Sequence, residues 1–209
     1  MTEQTNSSTL SSIPLCLFPS AHWLILAAKN TCVNSNEIYL KQTYRNRYDI
    51  LGVNGRLSLT VPVEGQKGMK TPLKDIRIAG QMWRKQHIST IRSSYGRAAY
   101  FEHYFDQLES CLSKPHTFLL DLNLNALAWL NACGLQLPVN LVDEAWEYRE
   151  GDGTYLWEPG HIWPELPSYP QVFSDRHPFM SGLSAIDIIM NKGPRTADYL
   201  AQAANIPVV

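Results

Sequence analysis

EIYLKQTYRNRYDILGVNGRLSLTVPV, residues 37–63, is the stretch on which the fold class turns. At its centre GVNGR, 52–56, carries an Asn-Gly turn signal with Leu57, Leu59, Val61 and Val63 alternating behind it. That pattern predicts a β-hairpin pairing residues 44–51 with 56–63. Ahead of the turn, the alternation over 37–50 predicts a long strand. Tyr39, Lys41, Thr43, Arg45 and Arg47 fall on one face, and Leu40, Gln42, Tyr44, Asn46 and Tyr48 on the other. Residues two apart on a strand point the same way, about 7 Å from each other. Lys41, Arg45 and Arg47 would then stand in a row of like charges that calls for something negative above it. Either Glu37 and acids from the second half of the chain meet that need, or a ligand does.

Outward from the hairpin, IPLCLF at 13–18 predicts a short buried strand, and Pro19 with Ser20 predicts a helix entry capped by Ser20 and running to about Lys29. GQKGMKTPLKD, 65–75, has the Gly, Pro and Lys content of an exposed, mobile loop, leading into a last short strand, DIRI. After residue 80 the period becomes helical. Trp83, His87, Ile88, Ile91 and Tyr95 mark an amphipathic helix ended by Gly96. Helices are predicted again over 98–112 and over 118–135, the latter closed by Gly134, and LSAIDIIMNKGPRTADYLAQA predicts a short apolar helix, a Gly-Pro stop and a final helix. Between them, Pro138 to Pro178 reads as a long irregular segment rich in aromatics. Strands followed by helices predict an α+β fold, a mostly antiparallel sheet from the N-terminal half packed by helices of the middle and C-terminal parts. A mixed α/β sheet is the alternative. Residues 1–12, polar and rich in Ser and Thr, are expected to form a disordered tail, with residues 13–209 as a single domain.

The chain has 209 residues, of which 44% are hydrophobic and 18% charged, enough for one well-buried core. Its net charge of -1 conceals an asymmetry: residues 41–97 hold twelve Lys and Arg against Asp49, Glu64 and Asp75, a local charge of +9. Such a segment attracts phosphate-bearing molecules, or is neutralised by acids elsewhere in the fold. The acidic remainder argues against nucleic acid as the partner. Cys16, Cys32, Cys111 and Cys133 have neither zinc-ribbon nor disulfide-framework spacing and are expected as reduced thiols. No apolar run is long enough to span a bilayer and no secretory signal is legible, so a cytoplasmic protein is expected.

For chemistry, His22 sits near a predicted helix N-terminus, where the dipole would keep the imidazole neutral and suited to act as a general base. His87 lies on an apolar stripe, a position commoner for a hydrogen-bonded core histidine than for a catalyst. Asp121 and Asp187 sit in apolar helical text, where each is expected to find a structural partner. No H-x-x-x-H or H-E-x-x-H pattern marks a metal site, G-x-S-x-G is absent, and the glycines match no nucleotide motif.

The 37–63 stretch is followed by TPLKDIRI, by Trp83 and His87 in W-x-x-x-H, by SSYGRAAYFEHY and LLDLNL, and near the end by YPQVF and LSAIDIIMNKGP. This order of blocks resembles the WbqC-like family over most of the chain. The resemblance implies a part in making O-antigen and other bacterial surface polysaccharides, with transfer of an acyl or aminoacyl group such as glycine to an amino sugar. Combined with the basic segment, it yields two readings. One is a transferase acting on a nucleotide-linked amino sugar, the other a non-catalytic protein that binds a sugar nucleotide. In the first, Arg45 and Arg47 hold the phosphate of a nucleotide sugar or coenzyme A thioester, Lys41 and Asn46 orient it, Tyr39 and Tyr95 complete the substrate contacts, and His22 or His87 takes the proton. The cofactor is left open, and no metal site is expected. The chain departs from the family pattern at Gly182-Leu183-Ser184, where Asn-Leu-Ser is expected, and at Asn191-Lys192-Gly193-Pro194, where Asn-Glu-Gly-Pro is expected; both differences bear on specificity.

Overall fold

The Asn-Gly turn does form a hairpin, although with the turn one residue earlier than the dipeptide suggests. In the computed structural model, which describes residues 13–28, 31–65, 70–137, 139–144 and 159–205, strand Arg47–Gly52 pairs antiparallel with Gly55–Thr60, Arg47 opposite Thr60 and Gly52 opposite Gly55. This is the predicted register. Val53 and Asn54 make the turn without positive φ, and Gly55 takes the strained position at φ +103°, where a β-carbon would be costly.

In chain order the elements are α1 (Ala21–Ala27), β1 (Thr31–Asn34), β2 (Arg47–Gly52), β3 (Gly55–Thr60), α2 (Met82–Tyr95), α3 (Phe101–Ser113), α4 (Leu119–Ala132), β4 (Val139–Val142), α5 (Ala185–Lys192) and α6 (Thr196–Ala203). The helices sit close to their predicted places. Gly96 follows α2, and Gly193 ends α5 at φ +54° with its Cα against the Tyr100 ring, leaving no room for a side chain.

The sheet prediction needs correcting. Among the described residues there are two separate two-stranded sheets, the antiparallel hairpin and a parallel pair in which β1 meets β4, Thr31 opposite Val139 through Asn34 opposite Val142. A parallel pair needs a long crossover. Here the hairpin and α2–α4 supply it. The fold is mixed α and β, but neither the single antiparallel sheet nor a continuous mixed one is present among the described residues.

Three predicted strands are also replaced. Residues 13–18 belong to no strand and end in a bend with Phe18 at φ +42°, tied by Ile13 N–H to Cys32 O and Leu17 N–H to Tyr44 O. DIRI becomes the end of a short 3-10 turn, Leu73–Asp75, followed by single bridges between Val63 and Ile78 and between Arg77 and Phe118. Residues 37–46 curl instead of extending. Eight residues of strand would separate Glu37 from Arg45 by about 26 Å, yet their side chains pair at 3.1 Å. Gln42 makes the reversal at φ +60°, and Thr43 Oγ1 donates to Leu40 O across it. Lys41, Arg45 and Arg47 therefore do not share one strand face.

One cluster of buried side chains joins the hairpin to the helices. Helix α1 is nearly engulfed, with Trp23 and Leu24 wholly enclosed and the Trp23 indole N–H donating to Pro14 O at 2.8 Å. Phe18 packs edge-on to Tyr48 and to Trp129, linking α4 to β2. Helix α5 is buried along most of its length and carries Asp187 inward. No helix among the described residues is long and apolar enough to cross a membrane. Cys16, Cys111 and Cys133 are free thiols, as expected. The predicted tail 1–12, Lys67 in the basic loop and residues 145–158 of the irregular segment lie outside the described residues.

Candidate functional site

Where β2 and β3 meet the start of α1, a cleft of about 370 Å³ opens. Cross-strand pairing builds one wall. Asp49 of β2 stands opposite Ser58 of β3, and Arg56 lies diagonal to it on the same face. The buried Asp49 carboxylate accepts from the Ser58 hydroxyl, from Tyr44 Oη at 2.7 Å and from Arg56 Nη1 at 3.0 Å. Arg56, 40% exposed, also donates through Nη2 to Ser181 O at 2.7 Å and binds the hairpin to the 181–184 turn. The Ser184 N–H donates to Asp49 O at 2.8 Å. Acid and guanidinium neutralise each other, so this wall is rigid, polar and carries little net charge.

The facing wall comes from α1 and the segment 159–163. His22 is wholly buried and stacks on Trp163, ring centres 5.0 Å apart. Its Nε2 lies 2.9 Å from Pro164 O, and since a carbonyl can only accept, Nε2 carries the proton. Nδ1 then holds a lone pair, and it has no partner among the described residues. Burial pushes the imidazole below its ordinary pKa, the Pro164 bond opposes, and the nearby His161 adds to the lowering. The expected neutrality of His22 is reproduced, with burial rather than the dipole of a seven-residue helix as its main cause. Two further enclosed polar atoms border this region without partners among the described residues: Ser181 Oγ, on a residue lining the cleft, and Ser184 Oγ, in a smaller hollow adjoining it through Ser20, Tyr44, Asp49 and Gly182.

The other predicted site residues are dispersed. Arg45 is 0% exposed and forks Glu37, Nε to Oε1 at 3.3 Å and Nη2 to Oε2 at 3.1 Å, while Glu37 Oε1 also accepts from Leu15 N–H. It is fully occupied within the chain. Arg47 is half-buried and donates through Nε to Thr60 Oγ1 at 3.2 Å; Lys41 is exposed; Tyr39 is half-buried near Arg45 and Arg47. Asn46 is buried, its amide donating to Val61 O at 2.8 Å. His87 is buried between Trp83 and Tyr48, with Nδ1 2.9 Å from Tyr48 Oη, and burial pushes its pKa down to about 4. The cleft is lined by His22 and not by His87.

Tyr95 is buried and donates to Asp187 at 2.9 Å while accepting the Leu51 N–H. Asp187 has the structural partners foreseen for it, although they are Tyr95, Tyr169 at 2.6 Å and Gln171 at 2.8 Å rather than a cation. Burial pushes its carboxyl above the ordinary range, against those three hydrogen bonds. Asp121, by contrast, is exposed on α4. Among the described residues no group of His, Cys, Asp and Glu could hold a metal ion.

Of the residues lining the cleft, the sequence had singled out His22 as a candidate for chemistry, whereas Tyr44, Asp49, Arg56, Ser58, His161 and Trp163 were not among its site residues. The aromatic density of the 159–163 region was the available signal.

The WbqC-like protein family model matches residues 21–154, well over half of the chain. The chain belongs to the WbqC-like protein family. No curated protein and no solved structure matches it. The WbqC-like match takes in His22, the whole 37–63 stretch and His87, and so contributes His22, Tyr44, Asp49, Arg56 and Ser58 to the cleft. Trp163, Ser181 and Gly182 lie beyond it. Gly182 has φ +73°, a conformation in which Asn is the other commonly tolerated residue, and it lines the cleft next to Arg56. The departure noted in the sequence at Gly182 therefore falls in the cleft wall.

Proposed function

We propose that this WbqC-like protein acts in surface-polysaccharide synthesis as an acyl- or aminoacyltransferase on a nucleotide-linked amino sugar, with the His22 cleft as its reaction chamber. The observation that carries the reading is the His22 ring, enclosed, neutral, fixed by Pro164 and left with a lone pair at Nδ1 beside a polar cleft. A sugar ring suits the walls: Trp163 provides an apolar face, and the serine hydroxyls offer hydrogen bonds. The paired Asp49 and Arg56 hold that geometry without repelling a neutral ligand.

In the proposed step the amine of the sugar attacks the carbonyl carbon of a thioester donor. A carbon–nitrogen bond forms, the carbon–sulfur bond breaks, the amine proton passes to His22 Nδ1, and the departing thiolate is protonated from solvent or by the imidazolium. The base must be unprotonated at neutral pH, which the lowered pKa of His22 satisfies. His87 has no part in the step because its Nδ1 is taken up with Tyr48. Arg45 has none either, since Glu37 occupies its fork.

The test is incubation of the purified protein with coenzyme A thioesters and nucleotide-linked amino sugars, read by the mass gained on the sugar. His22→Gln is expected to slow transfer by about a hundredfold or more while leaving sugar binding in place. No mass gain over a broad panel, or equal rates for the variant, would overturn the reading. Saturable binding of a nucleotide sugar without turnover would instead favour the non-catalytic binding protein.

A further inference from the structure

A second and larger hollow lies apart from the cleft. It is an open groove of about 570 Å³ between α3 and α4, and it shares no lining residue with the cleft. The short connection over 114–118 sets these helices antiparallel. Near that end the Asn125 amide of α4 donates to Cys111 O of α3 at 3.0 Å. Along α3 the groove is bordered by Asp106, Ser110 and Lys114, one turn apart and all exposed. Along α4 it is bordered by Ala128 and Ala132, exposed and also one turn apart. The buried Trp129 ring, packed edge-on to Phe18 in the core, closes the floor.

The charges on this face are ordered. Asp106 and Lys114 stand about 12 Å apart along the α3 axis, with Ser110 midway between them. Neither makes an ion pair among the described residues. Glu109, on the adjoining side of α3, is by contrast held by Arg92 of α2 at 3.1 Å. A row that reads acid, hydroxyl, cation is complementary to itself when reversed. A two-fold axis through Ser110 sets α3 antiparallel to the α3 of a second copy, brings Asp106 to Lys114 of that copy, and repeats the pair on the far side of the axis. Like charges at the two ends would instead be set against each other. The small side chains of Ala128 and Ala132 let a facing helix come close to the groove floor.

We propose that the α3–α4 face is the contact surface of a two-fold symmetric dimer, with a second copy of this chain as its partner. Two helices of 13 and 14 residues, each about 20 Å long and about 10 Å across, offer a face of about 400 Å² per copy. A standard interface uses about 800 Å² per partner, so the association is reversible, with a dissociation constant in the micromolar range. Closing the groove over its floor supplies most of the affinity, and the two ion pairs at its ends fix the direction of the partner and reject the parallel arrangement. The dimer stands apart from the transferase reading, because its face contains no residue of the cleft.

The test is sedimentation equilibrium of the full-length protein at low ionic strength, from about 1 µM to about 500 µM. The natural chain is expected to pass from monomer to dimer over that range. Asp106→Lys and Lys114→Asp, each confirmed folded by circular dichroism, set like charges across the axis and are expected to weaken association about tenfold or more. An equimolar mixture of the two variants is expected to recover it, because every end contact between unlike copies is again a pair of opposite charges. A chain carrying both reversals is expected to do the same. Ala128→Arg, which crowds the floor and leaves the end charges in place, is expected to abolish association. A natural chain that stays monomeric throughout, one whose association continues past the dimer, single reversals that associate as well as the natural chain, or a mixture as weak as its components overturns the proposal.

Discussion

Arg45 and Arg84 come from the same basic segment, both are buried, and their surroundings are opposite. Arg45 has a carboxylate of its own chain across its fork at 3.1 and 3.3 Å, and Glu37 also accepts a backbone N–H. Arg84 has an aromatic ring beneath it and, among the described residues, no acceptor at its side-on edge. Burial of a cation is therefore not in itself a sign of ligand binding or of structure. What distinguishes them is the counter-charge. Where the chain supplies one, the arginine shapes the backbone, as the curl of residues 37–46 shows; where the described residues supply none, the guanidinium lies over an aromatic ring instead.

The largest expected effect follows from breaking the complete pair. Arg45→Met removes the guanidinium that faces the buried Glu37 carboxylate, which should cost about 3–5 kcal/mol of stability, read from urea unfolding. Adding Glu37→Gln should recover a large part of that loss, since the stranded charge rather than the missing contact dominates it. A cost for Arg45→Met no larger than that of a surface substitution would mean that the ion pair does not hold the curl.

A second expectation concerns His87, one turn beyond Arg84 on α2 and, like Arg45, provided with a partner. Its pKa is lowered to about 4 by burial, so below the ordinary histidine value the unfolded chain takes up a proton that the native chain refuses. The contribution is whole above pH 6.5 and fades as pH falls from 6.5 towards 4, a loss of about 3 kcal/mol. Stability measured across that range should fall less steeply in His87→Gln than in the natural chain, by roughly one proton's worth of slope. Equal slopes would show that His87 is free to ionise in the native state.

The same contrast explains what could be read from the chain. The hairpin register and α2–α6 were legible because their signals are local: a glycine at a turn, a 3.6-residue period, a Gly-Pro stop. Arg45 was misplaced because alternation over 37–50 is a strand pattern on its own, and only the burial of Glu37 with Arg45 overrides it. The parallel partner of β1 lies more than a hundred residues away, and no local pattern specifies that pairing. The cleft was half legible for a like reason. His22 stood out by type and position, whereas the arrangement of Asp49 with Ser58 exists only once the strands pair, and Trp163 reaches His22 only through the fold.

The smallest expected effect on stability is the sharpest test of the comparison. Arg84→Met replaces an unaccompanied cation by an apolar chain of similar length over Trp83. It forfeits a cation–π contact of about 0.5–1 kcal/mol and removes the cost of burying an unbalanced charge. These changes oppose each other, and the net change in unfolding free energy should stay within about 1 kcal/mol, on the stabilising side. Were Arg84→Met instead to cost as much as Arg45→Met, the Arg84 fork would have to be satisfied within the chain, and the two arginines would be alike after all.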